Sequence, residues 1–482
     1  MDRTVKLLFA AALFTPALAL AQEAPIPLPT PPVEEKLPEI VPPEEPPAPQ
    51  KSEADERFEK LEKRIEKLED ELDQNKDDQS YLEQKINQLM PLTSRITGYI
   101  DMGAFVTNGN GAGTRSDFTN SYLPQYAGKV PGSWVFMGDP LSTTVNSRGD
   151  VADTGDSRAI TFDPINSKGK STALINNVNL TLFTGVGETG SALVSVDLVP
   201  RARDIGDVAG LFVGDYIDVK LAYGEWKPKL DKIDLALQAG KFDSVVGREY
   251  RQLESPDRIG VTPSLICRYL CGRPVGVKAR AKYDKVTANV AVTNGSNFTE
   301  GFSFSDETDS NNMKTFAGRL SYGTDAIELG ASGAFGAQDF QPDNDVYQWH
   351  YGADFHLDMH DFEFTAEYVH GRAKGKTSEM SGAMGVPCDL APCLTYKGAY
   401  GQASYRVSNV FTPYVRVDWR DALHQSGASF VYYSELMRVT AGVRAEIGTR
   451  VILKAEATKN IELGELPQFP DDVITSSLVL KI

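Results

Sequence analysis

Apolar and polar residues alternate with a period of two through most of the chain after Arg95. In Val277–Tyr283, for example, the apolar side chains alternate with Lys278, Arg280 and Lys282. Because successive side chains of a β-strand point to opposite faces, such a segment predicts a strand with one apolar and one polar face. About sixteen segments of roughly ten residues follow this pattern between residues 95 and 482, and ten residues suit a tilted strand that crosses a membrane.

The connections between these segments also alternate, in this case in length. Short turns such as Tyr283-Asp284-Lys285 and Gly323-Thr324 alternate with long connections such as 107–170 and 243–274. Bacterial outer-membrane barrels have short periplasmic turns and longer outer loops. A soluble β-sandwich is the alternative, but its loop lengths need not alternate, and aromatic residues near strand ends, such as Trp419, favour a membrane. The pattern predicts an all-β transmembrane barrel of about 16 antiparallel strands over residues 95–482.

Residues 52–91 follow a different period, with apolar or amide side chains recurring at spacings of three and four residues. These positions are Phe58, Leu61, Ile65, Leu68, Leu72, Asn75, Gln79, Leu82, Ile86 and Leu89. A single amphipathic helix lying on a globular core is the alternative, but a strict 3.5-residue period favours supercoiling. The segment therefore predicts an α-helical coiled coil that joins several copies of the chain, and Pro91 ends it.

The residues before the coiled coil predict an exported protein with a spacer. In residues 1–21, Arg3 and Lys6 precede an apolar run that ends in Ala19-Leu20-Ala21, which is the pattern of a cleaved signal peptide. Residues 22–51 contain 11 of the 28 prolines, and such composition favours an extended polyproline II spacer. Because an even strand count leaves both barrel ends in the periplasm, we expect the spacer and the coiled coil to lie there and the barrel to lie in the bacterial outer membrane.

The charge and the hydropathy of the chain limit the classes of molecule that it is expected to bind. It has 66 acidic and 49 basic side chains and a net charge of -17, so we expect no general affinity for nucleic acid. After the N-terminal leader no stretch reaches the ~20 uncharged residues of a helical membrane span. The expected partners are outer-membrane lipid, small solutes and other copies of the same chain.

Four cysteines form two closely spaced pairs, and in an exported protein they predict disulfides. They are Cys267, Cys271, Cys388 and Cys393. The spacing does not decide which cysteine joins which, and zinc binding is the competing interpretation. Because no histidine lies near either pair, we expect no metal site, and no motif in the chain indicates a cofactor.

Three short motifs resemble the phosphate-selective (O/P-type) porin family. They are Ala239-Gly240-Lys241-Phe242-Asp243, Glu254-Ser255-Pro256-Asp257, and Ala317-Gly318-Arg319-Leu320-Ser321-Tyr322 followed by Ile327-Glu328-Leu329-Gly330. The resemblance implies a homotrimer of sixteen-stranded barrels whose third outer loop folds inward and narrows the pore. The connection 243–274, between the fifth and sixth predicted strands, occupies the position of that loop.

The same region supplies the candidate pore residues. The connection 243–274 carries five arginines, and the sixth strand adds three cations on its polar face. The predicted pore or constriction residues are Arg248, Arg251, Arg258, Arg268, Arg273, Lys278, Arg280 and Lys282. Fixed wall charge of one sign selects permeant ions; the alternative is a loop held together by its own ion pairs.

These observations predict a porin that allows passive diffusion of small hydrophilic solutes, with a mild preference for anions that includes phosphate-like ions. An enzyme is not expected, because the chain has no nucleophile motif such as Gly-x-Ser-x-Gly. The alternative function is a structural tether in which the barrel anchors the chain and the spacer and coiled coil contact the cell wall.

Overall fold

The computed structural model describes the predicted barrel and little of the region before it. The predicted signal peptide, the proline-rich spacer and the coiled coil lie outside the described residues, apart from helical Arg64. Arg64 belongs to the unit Met1–Lys76, and the barrel belongs to the unit Asp77–Ile482. The described residues are 64, 95–107, 114–116, 135–137, 172–198, 217–294, 311–337, 344–379, 388–426, 430–464, 468 and 472–482.

Sixteen strands form the wall of the barrel. They are β1 (Arg95–Thr107), β2 (Thr172–Val186), β3 (Gly190–Leu198), β4 (Ile217–Trp226), β5 (Asp234–Lys241), β6 (Val275–Tyr283), β7 (Val286–Thr293), β8 (Thr315–Gly323), β9 (Ile327–Ala337), β10 (Tyr347–Met359), β11 (Phe362–Ala373), β12 (Cys393–Tyr405), β13 (Phe411–Ser426), β14 (Phe430–Ile447), β15 (Val451–Glu462) and β16 (Val473–Lys481). Two further strands of three residues, Thr114–Ser116 and Val135–Met137, pair with each other, and the second pairs in parallel with β14.

The sheet closes on itself. Each wall strand pairs antiparallel with its neighbour in the chain. The first strand also pairs with the last, with Tyr99 opposite Lys481 and Gly103 opposite Ser477. Closure leaves no unpaired strand edge, as a sheet surrounded by lipid requires. The predicted antiparallel barrel of 16 strands is confirmed.

The two faces of the wall have opposite polarity. Apolar side chains such as Val290, Leu320 and Val415 are more than half exposed on the outer face. Arg416 and Asp418, on either side of outward Val417 in β13, are almost completely buried and point to the lumen. A soluble protein would place these groups the other way round, whereas lipid outside and polar groups inside explain this arrangement. Among the described residues no helix is long and apolar enough to cross a membrane.

The connections give the barrel its orientation. At the end where β2 finishes, every turn is short: 187–189, 227–233, 284–285, 324–326, 360–361, 406–410 and 448–450. Asp284 has a positive φ of 50°, which the two-residue turn between β6 and β7 uses to reverse the chain. Because short turns mark the periplasmic side, the longer connections, including 242–274, start at the outer end, where the connection 427–429 is the short exception.

The polarity of the wall leads to a stability prediction. Val415 is 55% exposed on the outer face of β13 and lies about 14 Å along the strand from Phe411, near the middle of the apolar band. Val415→Arg should lower the free energy of unfolding by about 2–4 kcal/mol, because it places a cation in lipid. Urea titration of protein folded into lipid vesicles measures the change.

Thr287→Arg is the matched control for this prediction. Thr287 faces the lumen from β7 and lines a polar cavity there, so the same new charge should change the free energy of unfolding by much less. Equal losses in the two variants would contradict the assignment of the faces.

Candidate functional site

The connection between β5 and β6 turns into the lumen instead of extending away from the barrel. This segment, residues 243–274, is called the inner loop. It contains a short 3-10 helix, Glu249–Gln252, and a one-turn α-helix, Cys267–Leu270. Its hydrogen bonds reach side chains of β9, β11, β13, β14 and β15, so it crosses to the far side of the barrel.

An apolar cluster holds the middle of the inner loop. Val246, Ile266 and Leu270 are almost completely buried and pack with wall residues that include Val369 and Leu394. The ring of Tyr269 stacks on Tyr396 of β12 with ring centroids 3.7 Å apart and nearly parallel planes. Burial of this apolar area favours the folded-in position of the loop by the hydrophobic effect.

Two charged side chains of the wall hold residues 261–263 of the inner loop. The Glu456 carboxylate accepts hydrogen bonds from the backbone N–H groups of Val261 at 2.8 Å and Thr262 at 3.1 Å, and from the Tyr414 hydroxyl. The Arg416 guanidinium donates to the carbonyl oxygens of Thr262 and Pro263, each at 2.8 Å. Hydrogen bonds to charged groups are the stronger class, so this contact fixes the far side of the loop.

Two further cations bind the preceding turn of the inner loop. Lys454 donates to the carbonyl oxygens of Arg258 at 2.7 Å and Gly260 at 3.0 Å. Arg444 donates to those of Arg258 and Pro256, each at 2.8 Å. These cations lie on the polar face of their strands, as the alternation predicts, but their donors are used by the loop backbone and do not meet a passing ion.

Glu254 anchors the inner loop on the side of β1 and β4. Its carboxylate accepts hydrogen bonds from Lys220 at 2.6 Å, Arg273 at 2.7 Å and the Tyr99 hydroxyl at 2.6 Å. Burial alone would raise the pKa of Glu254, but the charges of Lys220 and Arg273 outweigh it and hold that pKa well below its usual range. The carboxylate therefore stays ionised and keeps its partners.

At Glu249 the effect of burial on the pKa is larger than the effect of nearby charges. Its carboxylate accepts hydrogen bonds from the backbone and the hydroxyl of Ser264, the former at 2.6 Å. Burial raises the pKa of Glu249, and the charge of Arg416 opposes the shift only in part. The two glutamates thus differ because one has two adjacent cations and the other depends mainly on neutral donors.

A third acidic side chain is in contact with three arginines. Glu328 of β9 contacts Arg248, lies 3.2 Å from Arg251 and accepts a hydrogen bond from Arg319 at 2.7 Å. Arg319 also binds Asp354 of β10, with its Nε 2.9 Å from a carboxylate oxygen. These contacts join the 3-10 helix of the inner loop to the wall beside it.

The inner loop leaves a cavity of about 790 Å³ along β4 to β9. The polar faces of these strands and one edge of the inner loop surround it. Lys278, Arg280 and Lys282 lie along its wall on β6, with Arg251 on the loop side. Lys278 donates to the carbonyl oxygen of Asp243 at 3.2 Å, and Arg280 pairs with Asp234 at 3.0 Å. The cavity is therefore bordered mainly by polar and charged side chains.

The structure separates the predicted pore residues into three groups. Arg251 and the three cations of β6 line the cavity. Arg248 pairs with Glu328. The remaining three are buried in the contact between the loop and the wall: Arg258, Arg268 and Arg273.

Six further charged residues, which are not among the predicted pore residues, also line the cavity. They are Glu225, Lys227, Asp284, Lys285, Asp325 and Glu328. The two lysines lie at strand ends, where the alternating pattern stops, so only the position of the turns could have indicated them.

Each cysteine is bonded to its near neighbour. Cys267 and Cys271 form a disulfide within the inner loop, and Cys388 and Cys393 form one in the connection before β12. Glu249 lies close to the first pair, but the two sulfurs are joined to each other and are not available as thiolate ligands. The first disulfide closes a short ring in the fully buried part of the inner loop.

The geometry is that of a barrel with an inward loop and a polar cavity, and the sequence comparison agrees. Residues 175–469 match the family described as beta-barrel porin-2, OmpL-like. The chain belongs to this porin family. Its barrel is therefore an outer-membrane barrel of the porin type. No curated protein matches the chain in sequence.

The comparison with solved structures found outer-membrane proteins of low sequence identity. The outer membrane channel DcaP of Acinetobacter baumannii aligns over 81% of this chain and 97% of its own, with 10% identity and a TM-score of 0.49. The trimer form of OmpT of Vibrio cholerae aligns over 81% and 99%, with 9% identity and a TM-score of 0.43. An anion-selective porin from Comamonas acidovorans aligns over 81% and 99%, with 11% identity and a TM-score of 0.43.

The contacts of Arg416 and Glu456 lead to a prediction about the inner loop. The double variant Arg416→Ala, Glu456→Ala removes one positive and one negative charge, so the net charge of the lumen is unchanged. Each lost bond to a charged group weakens the attachment by about 1.5–3 kcal/mol. We expect larger and noisier single-channel conductance and faster proteolysis within residues 243–274, which mass spectrometry of the fragments locates.

The matched control is Lys397→Ala, Asp421→Ala. This ion pair, 3.2 Å apart, is also charge-neutral and lies on the outer face of β12 and β13, away from the loop. Conductance and fragmentation should then equal those of the unmodified protein. If the Arg416, Glu456 variant behaved like this control, residues 261–263 would not be what holds the loop.

Proposed function

We propose that the barrel is a diffusion pore for small hydrophilic solutes and that it passes anions somewhat more readily than cations. The observation that supports this function is the cavity beside the inner loop, because its wall carries three cations of β6 in a row. At ~3.4 Å per residue and two residues per step, these side chains are about 7 Å apart. An anion that leaves one cation is already near the next.

The balance of charges around the cavity supports a mild preference. Six cationic side chains line it, against four anionic ones. They are Lys227, Arg251, Lys278, Arg280, Lys282 and Lys285, and Glu225, Asp284, Asp325 and Glu328. Wall charge of one sign raises the local concentration of the opposite ion, and a partial excess raises it only in part.

The ion pairs of these charged side chains indicate which kind of solute the cavity accepts. Glu328 is already surrounded by arginines, and Glu225 pairs with Lys227 at 2.8 Å. Among the described residues, Lys282 and Lys285 form no ion pair, so their charge remains available to a solute. Small oxyanions, including phosphate-like ions, fit a path with several separate cations and room for hydration water.

The assembly that we propose is a homotrimer joined by the coiled coil of residues 52–91 and by the barrel wall. The outer face of β3 to β8 supports the second contact, since it contains an apolar groove of about 990 Å³. Small residues such as Ala192, Gly224, Ala239 and Ala279 line it. Small side chains allow two protein surfaces to approach closely, so a neighbouring barrel fits this face.

The anion preference can be tested on the sixth strand. Replacing Lys278, Arg280 and Lys282 together with Gln removes three charges and keeps polar side chains on the same face. At ~10 Å in water each charge contributes about 0.4 kcal/mol to a monovalent ion. The local concentration of anions should therefore fall by as much as about eightfold at low salt, and the anion-to-cation permeability ratio should fall with it; the effect should be smaller at high salt because of screening. Reversal potentials across a salt gradient in planar bilayers measure this ratio.

Lys397→Gln is the control for the selectivity measurement, because Lys397 faces outward and should leave the reversal potential unchanged. An unchanged reversal potential in the triple variant would overturn the role of the β6 cations. A wild-type barrel that conducts no ions at all would instead favour a structural anchor.

The proposed trimer is tested by mass measurement in mild detergent. The full chain should have the mass of three copies, and deletion of residues 52–91 should make the complex dissociate at lower detergent concentration, because the heptad contacts are lost. Deletion of the spacer, residues 22–51, is the matched control and should leave the assembly unchanged. A monomer in all three proteins would show that the chain does not trimerise.

A further inference from the structure

A group of cations lies on the outer face of the wall, away from the lumen. Arg372 and Lys374 lie at the end of β11 and directly after it, and both are exposed. The neighbouring buried residue Ala373 packs with the apolar cluster of the inner loop, so the alternation places Arg372 and Lys374 on the opposite face. Together with Lys397 and Trp349 they form what is called the outer-rim cluster.

The register of three strands brings these residues side by side. Arg372 is opposite Trp349 of β10 and Thr395 of β12. In the next row on the same face of the sheet, His370 is opposite Tyr351 and Lys397. Opposed residues of antiparallel strands have Cα atoms about 4.5–5.5 Å apart. The cations and aromatic rings of the outer-rim cluster therefore make one continuous patch.

Aromatic rings form part of the surface of this patch. Trp349 and Tyr351 stack with ring centroids 5.8 Å apart, and the Tyr351 hydroxyl lies 3.2 Å from Nδ1 of His370. Lys397 lies over the ring of Trp419 at 5.6 Å. Tryptophan and tyrosine in such positions mark the level of the lipid headgroups.

The height of the patch agrees with that level. Arg372 follows outward-facing Phe362, at the periplasmic end of β11, by ten positions. At ~3.4 Å per residue and a strand tilt of ~40°, this distance corresponds to about 26 Å across the membrane. The apolar band of such barrels is ~25 Å tall, so Arg372 and Lys374 lie at the outer headgroups.

The charges of the patch are only partly balanced within the protein. Asp421 of β13 pairs with Lys397 at 3.2 Å. Arg372 and Lys374 form no ion pair with any described residue, and they face away from the solute path. The outer-rim cluster therefore keeps an excess of two positive charges on a surface that meets lipid, and a negatively charged headgroup complements it.

We propose that the outer-rim cluster binds the phosphate group of an outer-leaflet lipid. Arg372 offers a planar set of donors that matches phosphate oxygens, and Lys374 adds a second charge. The rings of Trp349 and Tyr351 pack against the part of the lipid next to the phosphate. The site is separate from the solute path, and it does not depend on the proposed selectivity.

Native mass spectrometry of the full chain in mild detergent, titrated with diphosphorylated lipid A, tests this proposal. Each cation near an anionic lipid contributes about a factor of five in affinity. Arg372→Gln with Lys374→Gln should therefore bind lipid A about 25-fold more weakly. Lys229→Gln with Lys232→Gln, in the periplasmic turn before β5, is the matched control and should bind like the unmodified protein.

Two further measurements separate the outcomes. Arg372→Lys with Lys374→Arg keeps both charges and should keep most of the binding, and heat-modifiable gel mobility confirms that each variant is folded. Inorganic phosphate at the same concentration as lipid A should not displace it, because phosphate lacks the part that packs on the rings. Equal binding by the Gln variant and the unmodified protein, or displacement by inorganic phosphate at that concentration, would overturn the lipid site.

Discussion

The backbone of a loop inside a barrel needs hydrogen-bond partners, and charged side chains of the opposite wall supply them here. Glu456 receives two N–H groups, while Arg416, Arg444 and Lys454 donate to carbonyl oxygens of the inner loop. A buried peptide group without a partner costs free energy comparable to a lost hydrogen bond. The folded-in loop therefore depends on charges placed on β13 to β15, and the pore depends on the folded-in loop.

Cations of the lumen contact the inner loop on β13 to β15 and border a cavity on β6. An apolar cluster with Tyr269 on Tyr396 holds the middle of the loop. On β6, Lys278, Arg280 and Lys282 border the cavity of about 790 Å³. The same residue types thus have two kinds of surroundings: the cations of β13 to β15 bind the loop backbone, whereas those of β6 border the cavity.

The outer face of the barrel also has two regions of different composition. An apolar groove lined by small residues lies over β3 to β8, whereas Trp349, Tyr351 and the cations Arg372 and Lys374 lie over β10 and β11. Small residues suit contact with another protein surface, and aromatic residues with cations suit lipid headgroups. The wall therefore presents different surfaces to different neighbours, although each strand follows the same alternation.

The sequence by itself determined the strands, their faces and the closed barrel, because the period of two and the short turns are local properties of the chain. It also placed Lys278, Arg280 and Lys282 on one polar face, since their spacing along β6 decides it. Only the tertiary structure decided that Arg258 and Arg268 are buried. It also decided that Arg416 binds Thr262, which lies 154 residues away in the chain. Such contacts depend on how the inner loop packs against strands that are distant in sequence. The alternation along a strand shows which side chains face the lumen, but it does not show whether a charged side chain there binds the loop backbone or is solvated.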